Sequence, residues 1–195
     1  MFRRVISFCS LLLFVHLSIA HAATPQSFMR QLEVEIRTML KAGNYPEANQ
    51  IFAKHFDMGV FTKRCLVDHW GEFDKTELAR FIDLFGQNIK KNMNDKIIFT
   101  KDDTDFKLYP VKISKVEGIV KVENSLEVKK GDFKLTAFLV EHDGKLLVVD
   151  YDFDGALLSR NYRGHFNYLI DKYGKAGLFE RLERKLYSLS SNSPK

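Results

Sequence analysis

The chain has 195 residues, with 30 Lys+Arg against 25 Asp+Glu, and a formal net charge of +5. That excess is too small to argue for a nucleic-acid partner, and two cysteines, Cys9 and Cys65, cannot build a disulfide framework. The length suits one domain held by its own core, and 17 phenylalanines give that core unusual bulk.

The first residues carry an export pattern. Arg3 and Arg4 precede an apolar run from Val5 to Ala20, and Ala20, His21 and Ala22 form an A-x-A cleavage site. The run is shorter than the roughly 20 residues a spanning helix needs. Residues 1–22 are therefore expected to be a cleaved signal peptide, residues 23–187 a single domain, and the polar residues 188–195 a disordered tail. Cleavage would remove Arg3, Arg4 and Cys9, leaving a net charge of +3 and Cys65 alone. Export argues further against nucleic acid, while a mildly basic surface suits transient proximity to an anionic membrane.

Helical periodicity fills the first half. Phe28, Leu32, Ile36 and Leu40 recur every four residues and share a face. Gly43 and Asn44 end that helix, and Pro46 suits the first turn of the next. Ile51, Phe52, Phe56, Phe61, Cys65 and Leu66 lead to Trp70. Asp74 and Glu77 then form a capping box, and Leu78, Phe81, Ile82, Phe85 and Ile89 make the apolar face of a third helix.

From about residue 105 the period becomes two. Val120, Val122, Leu126 and Val128 alternate with charged residues, Phe133–Val140 reads as the next strand, and Asp143-Gly144 is a hairpin turn before Lys145–Phe153. Two helices close the chain. Leu158, Tyr162, Phe166, Leu169 and Tyr173 share one face, as do Phe179, Leu182, Leu186 and Leu189. The expected fold is α+β: a curved antiparallel β-sheet of about four strands against N-terminal and C-terminal helices, with an apolar cavity between them.

Two motifs invite a chemical reading. Asp150, Asp152, Asp154 and Gly155 match the start of an EF-hand loop, but its bidentate glutamate is replaced by Asn161. The preceding segment also alternates like a strand, with Leu147, Val149, Tyr151 and Phe153 inward and the aspartates in a solvated row. No metal site is expected. Cys65 and His69 stand four apart, as a thiolate–imidazole pair would require on a helix, but no orienting group accompanies them. Burial in an apolar stripe is the commoner fate of such a cysteine. His55, His142 and His165 lack zinc-ligand spacing, and no enzyme is expected.

The residues 150–166, "DYDFDGALLSRNYRGHF", carry a more specific signal. Through Asp150, Gly155, Leu157, Leu158, Asn161, Tyr162, Arg163 and Phe166 the segment resembles the C-terminal signature of the MlaC family, periplasmic phospholipid shuttles also called toluene-tolerance proteins. An earlier block resembles the same family through Asp57, Leu66, Trp70, Phe81 and Phe85, and Leu146 stands where the family usually has Trp. The resemblance implies a periplasmic protein without cofactor whose cargo is phospholipid. It also implies docking on an inner-membrane MCE-domain/ABC transporter complex and an outer-membrane lipoprotein complex that maintain outer-membrane lipid asymmetry.

Enclosing acyl chains is worth roughly 0.8 kcal/mol per CH₂, so a carrier needs an apolar interior. The candidate lining is Phe61, Trp70, Phe81, Phe85, Phe138, Val149, Tyr151, Leu158, Tyr162 and Phe166, with Arg160 and Arg163 as candidates for the head group. Each of these could equally be ordinary core or surface charge. The alternatives are a carrier of hopanoid or another apolar ligand, and a periplasmic interaction domain with a solid core.

Overall fold

Each early helix begins where the sequence supplies a cap. In the computed structural model, which describes residues 24–95 and 105–190, Thr24 caps α1 (Pro25–Lys41), Asn44 caps α2 (Tyr45–Lys54) and Asp57 caps α3 (Met58–Cys65). Each capping side chain accepts a backbone N–H that the helix leaves unpaired. A 3₁₀ turn at Trp70–Glu72 leads to α4 (Lys75–Asp95). Here the capping box is reciprocal: Glu77 N donates to Asp74 Oδ1 at 2.8 Å, and Asp74 N donates to Glu77 Oε2 at 3.0 Å. The expected signal peptide, the tail beyond residue 190 and the side chains of Phe52 and Leu189 lie outside the described residues.

The sheet follows in chain order, β1 (Lys107–Val116), β2 (Ile119–Val128), β3 (Gly131–His142), β4 (Lys145–Phe153) and the two-residue β5 (Ala156–Leu157), every pair antiparallel. Asp143 (φ 50°) and Gly144 (φ 71°) turn β3 into β4 with the positive dihedrals of a tight hairpin. Register shifts between Pro110 and Lys112 in β1, and opposite Phe138/Leu139 in β4, bend the sheet. The outer edge of β4 is covered by chain. Val148 N donates to His55 O and Asp57 N donates to Val148 O, both at 2.8 Å, so the link between α2 and α3 runs beside the strand. A covered edge cannot recruit another strand.

The second irregularity corrects the expected facing of β4. Leu139 pairs with Val148 and Phe138 with Asp150, leaving Val149 as the extra residue of a bulge. Before it the even-numbered residues Leu146 and Val148 join the core; after it Tyr151 and Phe153 do. Leu147 and Tyr151 therefore do not share a face. A single added residue inverts a period of two, which alternation alone cannot reveal.

The last helix, α5 (Leu158–Ser190), contains a break at Gly174 (φ 67°, ψ 178°), so the two expected helices are two arms of one kinked element. Only glycine enters that backbone region without strain. The kink folds the second arm back along α4, where Leu178, Phe179 and Leu182 are buried and Asn88 Nδ2 donates to Leu182 O at 3.1 Å. No helix among the described residues is long and apolar enough to cross a membrane.

Candidate functional site

Between the helices and the sheet lies a layer of aromatic rings with Phe85 at its centre. The Phe85 centroid is 5.6 Å from Phe61, 5.7 Å from Phe81, 4.8 Å from Tyr162 and 4.9 Å from Phe166. Phe56 bridges this group to the sheet, 4.8 Å from Phe61 and 5.2 Å from Tyr151. Most of these contacts are edge-to-face or tilted, the arrangement that ring quadrupoles favour. Helical spacing on α4 and α5 aims Phe81 with Phe85, and Tyr162 with Phe166, into one space.

That layer opens to the surface between α4 and α5. A cleft of about 60 Å³ is lined by Phe85, Asn88, Tyr162, His165, Phe166, Leu169, Arg181, Leu182 and Lys185. It shares His165, Leu169, Arg181 and Lys185 with a wider depression of about 540 Å³, which Arg184 completes. The inner end is apolar and the outer end basic. Burial, and then the Lys185 ammonium, hold the His165 imidazole below its ordinary value of 6.5.

The candidate residues divide by this geometry. Phe61, Phe81, Phe85, Tyr151 and Phe166 are buried in the ring layer, and Trp70, Leu158 and Tyr162 pack partly buried against it. Val149 is buried but sits in the bulge, outside the main core. Phe138 pairs with Asp150 and alternates with the core residues Ala137 and Leu139, so it occupies the opposite face of β3. Arg163 is anchored inward, Nη2 donating to Arg64 O at 2.8 Å, and does not line the mouth; Arg160 is exposed. The basic residues that do line the mouth, Arg181, Arg184 and Lys185, were missed. Their signal was present in "RLERK", where spacings of three and four put the cations on one helical face.

The aspartate motif has structural employment. Asp150 is wholly buried, a correction to its expected place in a solvated row. Its Oδ1 accepts from Tyr151 N at 3.0 Å and Ser159 N at 3.1 Å, and its Oδ2 lies 3.1 Å from Arg64 Nε. The carboxylate thus holds the start of α5, the end of β4 and α3 together. Asp152 Oδ1 accepts from Gly155 N at 2.6 Å, and Asp154 Oδ1 from Lys134 N at 2.7 Å. The three carboxylates accept from four separate backbone N–H groups and do not converge on one point.

Cys65 is also buried, and burial followed by the nearby Asp150 charge pushes its thiol far above the ordinary range. The thiolate needed for attack is suppressed at neutral pH. His69 instead places Nδ1 2.8 Å from Glu72 Oε1.

The profile of one family matches residues 29–184 and bears the description MlaC protein. The chain belongs to the MlaC family. The MlaC match takes in every element from α1 to the second arm of α5. A solved phospholipid-binding protein from Ralstonia solanacearum, in complex with a phospholipid, superposes with a TM-score of 0.70 at 16% identity, covering 85% of this chain and 98% of that one. At that identity the likeness speaks for the fold. No curated protein sequence matches this MlaC chain. Membership of this family points to a binding and transport protein rather than an enzyme.

Proposed function

We propose that this MlaC-family chain is a periplasmic phospholipid carrier, exported by its leader and free of chemistry of its own. The observation that carries the reading is the continuity of an aromatic interior with a basic mouth, the polarity of a phospholipid turned inside out. Acyl chains would lie among Phe61, Phe85, Tyr162 and Phe166, and the phosphate would meet the cations outside. The Ralstonia relative, solved with a phospholipid, supports the same class of cargo.

The cleft of about 60 Å³ is far too small for acyl chains, since one water's share of liquid is about 30 Å³. Loading therefore requires the rings to separate, with α4 and the first arm of α5 parting or the side chains changing rotamer. The lipid replaces ring–ring contact with ring–methylene contact, so opening is compensated by burial of the tails. Transfer between an inner-membrane MCE-domain/ABC transporter complex and an outer-membrane lipoprotein complex, in the service of lipid asymmetry, completes the proposal.

The test is mass spectrometry of an organic extract of the full chain purified gently from its periplasm. About one phospholipid per chain is expected. A hopanoid at that ratio would reassign the cargo, and recovery of no lipid would overturn the carrier reading.

A further inference from the structure

The mouth carries a bias that phospholipid carriage alone does not require. His165, Arg181, Arg184 and Lys185 line it, and among the described residues no carboxylate does. Two nearby acids are engaged elsewhere: Glu183 pairs with Arg80 of α4, and Asp171 lies 3.8 Å from His69. Arg181 is held in place. Its guanidinium sits 3.5 Å from the Tyr173 ring centroid, and Nη1 donates to Gly177 O at 3.1 Å. A guanidinium fixed in this way loses little freedom on meeting a phosphate.

The floor of the cleft contributes a neutral acceptor. Asn88 is 3% exposed, and its Nδ2 donates to Leu84 O at 2.9 Å and Leu182 O at 3.1 Å. Two carbonyls fix which end of the amide faces them, so Oδ1 turns the other way. It has no hydrogen-bond partner among the described residues. A buried acceptor left in this state calls for a donor from outside.

We infer that the mouth selects phospholipids whose head group is anionic and carries neutral hydroxyls, the phosphatidylglycerol type, over zwitterionic ones; this rests on the carrier reading above. The phosphate meets the fixed Arg181 with Arg184 and Lys185, and a hydroxyl donates to Asn88 Oδ1. An ethanolamine ammonium could also donate to Asn88. To do so it must enter among cations with no carboxylate to receive it, and that repulsion discriminates against it.

The experiment uses the delipidated full chain, incubated with vesicles of equimolar phosphatidylglycerol and phosphatidylethanolamine, reisolated, and analysed for bound lipid. The wild type is expected to carry phosphatidylglycerol in at least about fivefold excess, near 1 kcal/mol of discrimination. The exposed pair Arg184→Glu/Lys185→Glu is expected to bring the ratio to one or below. Raised salt should reduce the wild-type ratio, because the charges act from a solvated rim. Equal uptake of both lipids by the wild type, or an unchanged preference in the double variant, overturns head-group selection while leaving carriage intact. Uptake of neither lipid overturns the carrier reading itself.

Discussion

Arg64 Nε lies 3.1 Å from Asp150 Oδ2, joining α3 to a carboxylate that is wholly buried at the end of β4. The same carboxylate accepts the Ser159 N–H at the start of α5, so one side chain joins three elements of the domain. Asp150→Ala leaves the guanidinium and the amides without their acceptor. A loss of about 3 kcal/mol is expected, towards the lower end for a broken buried pair because Arg64 retains some solvent. Asp150→Asn keeps an oxygen for Ser159 and should cost less. Denaturant midpoints measure both; equal losses would show that the amide bonds, not the charge, matter.

Phe85 stands at the centre of the ring layer, and Phe85→Ala should cost about 3–5 kcal/mol in the lipid-free protein. If lipid tails occupy the space between rings, the loaded form fills part of the new cavity and loses less. Unfolding of loaded and stripped protein, compared for wild type and variant, reads this difference. An identical loss in both forms would place the tails elsewhere.

Cys65 should be silent towards iodoacetamide at pH 8 in the folded state and react fully in denaturant, because burial and Asp150 oppose its thiolate. Labelling of the native protein at the rate of a free thiol would contradict the buried position.

Acid should weaken the fold in two windows. His165 has a folded value below 6.5, so the unfolded chain takes up its proton first as pH falls. Its contribution is present above about 6.5 and is lost as pH falls towards the folded value. For Glu35, burial opposes the charge, but hydrogen bonds from Gln31, Lys54 and His55 together outweigh it and hold the carboxyl below 4.5. That contribution is present above 4.5 and disappears as pH drops through the folded value. Stability measured against pH should flatten in the upper window for His165→Gln and in the lower one for Glu35→Gln.

Gly174→Ala introduces no steric contact, since nothing lies within 4 Å of the added carbon, yet the backbone there sits at φ 67°. A loss of about 1–3 kcal/mol is expected from conformation alone. Replacement by D-alanine through semisynthesis should restore stability, which separates backbone strain from loss of packing.

Much of this arrangement could be read along the chain. Phe28, Leu32, Ile36 and Leu40 are buried as their four-residue spacing requires, and the Asp74–Glu77 box forms as written. Such features depend on interactions between residues three or four apart, where helix geometry is nearly invariant. The Asp143-Gly144 turn is local for the same reason. Positions governed by distant partners were not legible. Val149 bulges because β3 and β4 pair in a shifted register, and Asp150 is buried because α3 and α5 cover it.

The four-residue and two-residue apolar periods placed the main helices and strands along the chain, with the Asp74–Glu77 box, the Asp143-Gly144 turn and the aromatic stock of the interior, because each follows from local backbone geometry. Which charges stand at the mouth depends on packing between distant elements. Arg163 was drawn inward to α3 while Arg181, Arg184 and Lys185 gathered outside, because the kink at Gly174 returns the second arm of α5 along α4. A residue's charge is written in the chain; the field it helps to make depends on which distant residues the fold brings beside it.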